Sequence, residues 1–229
     1  MSSSLIKDMF QRTLVISPHC DDEVIGCGGL MRKIVKHGGN VTVAIVATGD
    51  TMFYHVNRVV TAEEREEELK DSLACLGVGA YRILFSDKES IMDTVSIKEV
   101  VTAFDYLLQE IRPTAVLIPY PSFHQDHKVT FDASFAALRP SPTYVPKLVG
   151  MYEYPFVTWS YERLNGGALY VDISEEIQDK VNALRKHASQ IREGRHAISP
   201  ETIELWAERR GLEASIEYAE LYRVLRMIA

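Results

Sequence analysis

The sequence lacks a cysteine framework. It has only three cysteines among its 229 residues, Cys20, Cys27 and Cys75, and no two of them have the CxxC spacing of a redox or zinc motif. An odd number of cysteines without such spacing argues against structural disulfides and favours a reducing compartment. We therefore expect a fold that is stabilised by a hydrophobic core.

Long hydrophobic segments are missing as well. The first residues, MSSSLIKD, have no apolar core of the kind that a secretory signal needs. No later run reaches the ~20 residues of a membrane helix, and no basic amphipathic anchor is evident. These absences predict a cytoplasmic protein without an integral membrane segment.

Positive charge is in the minority. Lysine and arginine number 25 against 32 aspartates and glutamates, which gives a formal net charge of -7. Nucleic-acid-binding domains usually present a basic surface, so the composition argues against a nucleic-acid partner. The sequence also has no internal repeat or long linker, and 46% of it is hydrophobic. Residues 1–229 are therefore predicted to form one domain.

Apolar runs alternate with segments of helical periodicity along the chain. The predicted strands cover residues 14–17, 41–46, 81–85, 115–119, 147–154 and 168–173. The predicted helices cover residues 28–37, 62–76, 96–111, 129–138, 174–187 and 200–227. This alternation predicts an α/β fold: a single-domain, Rossmann-like, three-layer fold with a mainly parallel sheet and right-handed crossovers.

Residues 51–60 have no clear period and are interpreted as a loop over the site. They contain Tyr54, His55, Asn57 and Arg58, an aromatic ring among hydrogen-bonding groups. Such a loop would either select a hydroxyl-rich or phosphorylated ligand or simply face water. The last third of the chain shows no obvious catalytic cluster, so the sequence does not identify the substrate.

Two short motifs carry residues that bind metals or move protons. Residues 17–23 read SPHCDDE and follow the first predicted strand, while HQDH follows the strand at 115–119. His19 and Asp22 are three residues apart, as are His124 and His127. Parallel strands bring their carboxyl ends to one edge of a sheet, so the two motifs are expected to meet.

Either motif alone would be better explained structurally. A histidine often lies hydrogen-bonded in a core, and paired acidic residues often cap helices. Together, at the ends of two buried strands, the motifs favour a metal site. Histidine and carboxylate ligands with an open position are typical of catalytic zinc, although they also suit Fe²⁺ or another divalent ion.

The motifs resemble those of a known family. HCDDE at residues 19–23, IGCGG at 25–29, VATGD at 46–50 and HQDH at 124–127 are similar to the motifs of the LmbE/PIG-L family of zinc-dependent N-acetyl-sugar deacetylases. The resemblance spans roughly residues 13–130. It implies a hydrolase that releases acetate from the N-acetyl group of an amino sugar or small glycoside.

The resemblance also implies roles for individual residues. It assigns His19, Asp22 and His127 as zinc ligands and Asp21 as the general base that deprotonates the attacking water. It assigns protonated His124 to stabilisation of the oxyanion. These roles are expectations that a structure can test.

Further residues are given supporting roles. Asp126 is predicted to act in catalysis by orienting His124. Arg65 lies in REEE, which resembles the family's RxxE helix, and would either reach the substrate or belong to a solvated charge run at residues 63–68. Asp50, at the carboxyl end of the second strand, is the other substrate-binding candidate.

The sequence departs from the family pattern at two positions. Cys20 and Gln125 stand where the family commonly has proline. Neither position needs to supply a ligand, so the predicted zinc site is unaffected. Cys20 is interpreted as a small buried residue, with a thiolate ligand or an oxidation site as the alternative.

Two other classes of function stay open. The chain could be a metal- or sugar-binding protein of the same fold without catalysis, or its acidic clusters could be ordinary helix caps. The expected partner is a small N-acetylated sugar or glycoside, and a homo-oligomer is compatible with the sequence.

Overall fold

A computed structural model describes residues 8–141, 143–155, 167–192, 194 and 196–228. Seven strands form one sheet: β1 Arg12–Ser17, β2 Asn40–Ala47, β5 Ala80–Phe85, β6 Ala115–Pro119, β7 Leu148–Tyr152, β8 Gly167–Asp172 and β9 Ala219–Met227. Two further strands, β3 Thr51–Phe53 and β4 Arg58–Val60, form a separate hairpin. The order in the large sheet is β5-β2-β1-β6-β7-β9-β8.

The first five strands of this order, from β5 to β7, are parallel to one another. Strand β9 is antiparallel to both β7 and β8. The prediction of a mainly parallel sheet is confirmed. Six helices of at least eight residues flank it in the described chain: α1 Asp22–Lys36, α2 Ala62–Leu76, α3 Ile97–Ile111, α4 Gln125–Ala137, α5 Ile177–Leu184 and α6 Pro200–Ala214. None of the helices that the structure describes meets the length and apolarity needed to cross a membrane.

The side chains of β1 show why the fold has three layers. Val15 belongs to the hydrophobic core that the sheet forms with α1, α2, α5 and α6, while Leu14 and Ile16 belong to the core on the side of α3 and α4. Successive residues of a strand point to opposite faces, so a strand that is apolar throughout requires a layer on each side. The predicted three-layer α/β architecture is confirmed.

The helix predicted over residues 200–227 is wrong in its second half. Helix α6 ends at Ala214, where Ser215 adopts a left-handed conformation (φ 58°), and β9 begins at Ala219. The apolar residues Leu221, Val224 and Leu225 have near-helical spacing, which imitated a longer helix. The pairing of β9 with β7 and β8, which lie far away in sequence, decides its conformation.

Helices α1 and α4 begin earlier than predicted, at Asp22 and Gln125. The glycines after the first motif lie inside α1 and allow close packing. A Cβ on Gly26 would come within 2.1 Å of the Tyr152 ring, and one on Gly29 within 2.6 Å of Ile173. The two motifs therefore occupy the first turns of helices.

Two other segments differ from prediction and one agrees. Residues 51–60 form the β3–β4 hairpin instead of a loop, with Asn57 in a left-handed conformation (φ 51°) at its turn. Helix α5 is shorter than the predicted 174–187. Helix α2 has its predicted range of 62–76: the Thr61 side chain accepts the Glu64 N–H at its start, and Gly77 (φ 73°) ends the helix.

Candidate active site

The two sequence motifs meet at one edge of the sheet. Strands β1 and β6 are parallel neighbours, with Thr13 opposite Ala115, so both deliver their carboxyl ends to the same place. The chain then turns into α1 after β1 and into α4 after β6. Each motif thus spans the junction between a strand end and the first turn of a helix, where α/β folds place their ligand sites.

His19, Asp22 and His127 form a compact group. Each offers a ligand atom, and these atoms lie within 4.8 Å of one another. Oδ2 of Asp22 is 3.4 Å from Nδ1 of His19 and 3.3 Å from Nε2 of His127. All three residues are buried, and the Tyr154 hydroxyl is 2.8 Å from Nδ1 of His127. Two imidazoles and one carboxylate in this arrangement suit a divalent metal.

The charges of this group depend on one another. Burial acts to raise the pKa of Asp22, but His127 and His19 hold it well below its usual range. Burial acts to lower the pKa of His19, but hydrogen bonds with Asp126 and Asp22 raise it to about 10. Positive charge is thus strongly favoured beside the Asp22 carboxylate, which is the electrostatic condition for a bound cation.

Asp21 precedes α1 in an unusual backbone conformation, with φ 131° and ψ -33°. A non-glycine residue in this region is strained and persists only where its surroundings hold it. The Glu23 carboxylate accepts the Asp21 N–H at 2.9 Å, and the Asp21 carbonyl accepts the N–H groups of Val24 and Ile25. Burial and the neighbouring Asp22 carboxylate raise the pKa of Asp21 to about 7.

His124 is the N-cap of α4, and its Nδ1 accepts the backbone N–H of Asp126 at 3.2 Å. Burial and the positive charges of His19 and His127 lower the pKa of His124 to about 4. This direction disfavours the protonated His124 that the family resemblance implies, and the role of His124 stays a prediction. A neutral ring whose Nδ1 is an acceptor carries its proton on Nε2.

The carboxylate of Asp126 contacts His19 instead of His124. It lies 2.8 Å from Nε2 of His19 and accepts the backbone N–H groups of Ser90 at 2.6 Å and Met92 at 3.0 Å. The prediction that it orients His124 is corrected, since only the Asp126 backbone does so. The side chain instead fixes the predicted metal ligand His19.

Arg65 is buried, so the interpretation of residues 63–68 as a wholly solvated charge run is wrong. Its guanidinium donates to the Cys20 carbonyl at 2.7 Å and pairs with Glu89. Arg65 also lines the cleft beside the metal-ligand candidates. Cys20 itself is buried, and burial raises the pKa of its thiol, which favours the packing interpretation.

The structure gives Asp50 a different position from the one expected. Its side chain is exposed and accepts the backbone N–H of Ala62 at the start of α2. Asp50 is not among the residues that line the cleft, although the next residue, Thr51, is. This geometry does not support the prediction that Asp50 binds substrate.

A cleft that is partly open to solvent lies over this group and is lined by His19, Asp21, Asp22 and His127. The sequence patterns did not indicate most of the residues that line the cleft wall facing the metal-ligand candidates. Phe53 of the hairpin lines it together with Gln190, Arg192 and Ile198 from the last third of the chain. No motif marked these residues, because they come from segments without a recognisable period.

The sequence also did not indicate a buried contact between His187 and Glu23, the residue that holds the Asp21 backbone. His187 is fully buried, and its Nε2 lies 3.2 Å from Oε1 of Glu23, which is also fully buried. The other oxygen of Glu23 accepts the Asp21 N–H. The buried histidine thus contacts the carboxylate that holds the strained Asp21 backbone.

These features, a His-Asp-His group beside a buried carboxylate at the edge of a parallel sheet, suit a divalent metal and hydrolytic chemistry. A model of the PIG-L family, described as GlcNAc-PI de-N-acetylase, matches residues 14–138, more than half of the chain. The chain belongs to this family. The resemblance seen in the sequence and the predicted class of function, a de-N-acetylase, are confirmed.

Curated relatives agree. The chain is 30% identical over 191 residues to a probable N-acetyl-alpha-D-glucosaminyl L-malate deacetylase 2 of Bacillus cereus, with 80% of this chain and 84% of the relative covered. It is 31% identical over 195 residues to the diacetylchitobiose deacetylase of Thermococcus kodakarensis, with 80% and 71% covered. Both relatives are deacetylases of N-acetylated sugars by name.

Similarity in three dimensions extends to another reaction. The structure superposes on GalB, a 4-carboxy-2-hydroxymuconate hydratase of Pseudomonas putida, with a TM-score of 0.76, 19% identity and coverage of 96% of this chain and 98% of that chain. That similarity establishes the fold alone. Function must be argued from the residues of the site.

Proposed function

We propose that the chain is a zinc-dependent hydrolase that removes the N-acetyl group from an amino sugar linked to a small aglycone, with release of acetate. The observation that carries this proposal is the buried group of His19, Asp22 and His127 with Asp21 beside it, in the lining of an open cleft. Family membership supports the reaction class.

The donor set fits the proposed metal. His19, Asp22 and His127 would hold the ion, and the Tyr154 hydroxyl and Asp126 carboxylate would orient the two imidazoles. When bound, a divalent metal supplies Lewis acidity toward a carbonyl oxygen and lowers the pKa of water that it coordinates. Two histidines and one carboxylate suit both zinc and Fe²⁺, and zinc is preferred here because the motifs resemble those of a zinc-dependent family.

Asp21 is proposed as the general base. Its backbone is fixed by Glu23 on one side and by the first turn of α1 on the other, which aims a carboxylate into the cleft. A group that is to take and return a proton near neutral pH works best with a pKa close to that pH. Burial and the neighbouring Asp22 carboxylate raise the pKa of Asp21 toward this range.

His124 is proposed to donate a hydrogen bond to the oxyanion as a neutral imidazole. Its Nδ1 already accepts the Asp126 N–H, which leaves the Nε2 proton for a substrate oxygen. A donor fixed in advance stabilises charge that develops in the transition state. Neutral His124 performs this task without placing a further positive charge beside the proposed metal site.

Arg65 is proposed to bind the sugar. It lines the cleft with Glu89, and the pair offers both donors and acceptors to hydroxyl groups. The relatives act by name on N-acetylglucosaminyl malate and on diacetylchitobiose, so N-acetylglucosamine is the common unit that we carry over to this chain. Organisation as one domain, a cytoplasmic location and a homo-oligomer stay predictions.

The test is acetate release by the purified protein from a panel of N-acetylglucosamine glycosides after dialysis and reconstitution with Zn²⁺ or Fe²⁺. We expect turnover that requires metal and is highest with zinc. Metal bound with no turnover on any glycoside would favour a binding protein without catalysis. A fully folded protein with no metal affinity would show that the acidic clusters are only helix caps.

A further inference from the structure

Arg192 is a cation on the cleft wall that faces the metal-ligand candidates. It is half-buried and lines the cleft with Phe53 and Gln190. Burial lowers the pKa of Arg192, and the charges of Asp21 and Arg65 act on it in opposite directions. The guanidinium nevertheless stays charged, because arginine does not lose its proton in proteins.

The two cleft arginines have very different partners. Arg65 is neutralised by Glu89. Arg192 contacts only uncharged groups among the side chains and carbonyls that the structure describes for it. Its Nη1 is 2.7 Å from Nε2 of His55 and bonds the Gln190 carbonyl, and its guanidinium carbon lies 5.8 Å from the centre of the Phe53 ring.

His55 adds no charge beside Arg192. Burial and the charge of Arg192 lower the pKa of His55, which keeps the imidazole neutral. Within the described part of the chain, Arg192 takes part in no ion pair with a carboxylate. A half-buried cation that has no carboxylate partner among the described residues is available to bind an anionic ligand.

We propose that Arg192 forms an anion subsite for the aglycone, so that the preferred substrate is an N-acetylated amino sugar carrying a carboxylate or phosphate. This inference rests on the proposed deacetylase function. The acetamide must lie against His19, Asp22 and Asp21, so the facing wall receives the rest of the substrate. A guanidinium can bind either anion through two parallel hydrogen bonds.

A competing role for Arg192 is electrostatic. Its charge interacts with that of Asp21, so it could act by holding the general base ionised. In that case Arg192 would matter equally for every substrate. The two roles are separated by substrates that differ only in the charge of the aglycone.

The experiment compares the carboxymethyl glycoside of N-acetylglucosamine with its carbamoylmethyl glycoside, which has nearly the same shape without the charge. The phosphonomethyl glycoside separates phosphate from carboxylate preference. We expect kcat/KM to favour an anionic glycoside over the amide by about 10-fold to 100-fold, the range of a hydrogen bond to a charged group. Arg192→Gln should bring this ratio close to one, and Arg192→Lys should keep part of it.

Arg58→Gln is the matched control. Arg58 lies in the same hairpin region as His55, but it is exposed, forms a bidentate pair with Glu64 and does not line the cleft. Its loss should leave the ratio of anionic to neutral substrate unchanged. Calorimetric binding of the same glycosides to zinc-loaded Asp21→Asn gives the ratio of affinities even without turnover.

The outcomes separate the two proposals. No acetate from any glycoside, with anionic glycosides still bound more tightly through Arg192, would contradict the deacetylase function and support the subsite. Turnover without preference for an anionic aglycone would overturn the subsite and leave the function standing. Equal losses of kcat/KM on charged and neutral substrates in Arg192→Gln would overturn the subsite and show that Arg192 acts by holding Asp21 ionised.

Discussion

The two walls of the cleft are held in different ways. On the catalytic wall, His19 and Asp22 follow the central strand β1, His127 follows its neighbour β6, and buried hydrogen bonds fix their side chains. The facing wall is formed by Thr51 and Phe53 of the β3–β4 hairpin together with Gln190, Arg192, Ala197 and Ile198, which lie outside the seven-stranded sheet. The positions of the reacting groups are thus set by the sheet, whereas those of the substrate contacts are set by connecting segments.

This division explains how one family can keep its chemistry while its members differ in substrate. A substitution on the catalytic wall disturbs groups whose hydrogen-bonding capacity is already used within the core. A substitution on the facing wall changes side chains that rest on a few local contacts, such as the bond from His55 to the Ser189 carbonyl. Loops and edges of this kind commonly carry specificity.

Asp21→Asn is expected to have the largest effect. Asparagine keeps the shape of the side chain but cannot accept a proton, so kcat should fall by about 10²-fold to 10⁴-fold. The three metal-ligand candidates are unchanged, and metal content measured after dialysis should stay at the wild-type level. Loss of metal together with activity would contradict the separation of base and ligands.

His187→Gln tests the connection between the two walls. It removes the imidazole whose Nε2 lies 3.2 Å from the buried Glu23 carboxylate, and leaving a buried polar group without its neighbour costs about 1 to 3 kcal/mol in the free energy of unfolding. Urea denaturation measures the loss. The double variant Glu23→Gln/His187→Gln should recover part of it, because the buried carboxylate is then replaced as well. A fully additive loss would show that the two side chains act independently.

Metal affinity should respond to two changes on the catalytic wall in a graded way. His127→Ala removes a proposed ligand and should abolish tight zinc binding. Tyr154→Phe removes only the hydroxyl 2.8 Å from Nδ1 of His127, so it should weaken zinc binding by about 10-fold to 100-fold. Titration with a competing chelator measures both, and equal affinities for wild type and Tyr154→Phe would contradict the assignment of His127.

The smallest effect is expected for Tyr54→Ala with Arg58→Ala. The Tyr54 side chain is exposed (88%), and Arg58 forms its ion pair with Glu64 at the surface. Neither residue lines the cleft, so kcat/KM for an N-acetylglucosamine glycoside should change by less than about twofold, as expected of surface substitutions. A large selective loss on the glycoside would show that the hairpin tip closes over the substrate.

The residues of the catalytic wall could be predicted from the sequence because they lie within two short motifs. His19 and Asp22 are close in sequence, His124 and His127 likewise, and parallel strands bring both motifs to one edge. The predicted ligand group has come together, while the residue roles stay proposals. The orientation of Asp126 was mispredicted because its carboxylate bonds Ser90 and Met92, residues of a segment to which no role had been given.

The facing wall and the far side of the sheet could not be predicted in the same way. Nothing near Arg192 or His187 in the sequence indicates that they lie beside Phe53 or Glu23. Strand β9 was mistaken for helix because its partners are set by the whole sheet and not by its own period. Long-range pairing and burial of single polar groups leave little trace in a single sequence.

Strand β9 also has a consequence for the order of assembly. It lies between β7 and β8, and its Glu220 carboxylate accepts the N–H groups of Gly29 and Leu30 inside α1 and pairs with Lys180. On the ribosome, β9 is made after every element that it joins. The helix that begins at the metal-ligand candidate Asp22 is therefore fully supported only once that late segment has emerged, so the nascent chain stays without a finished site until then.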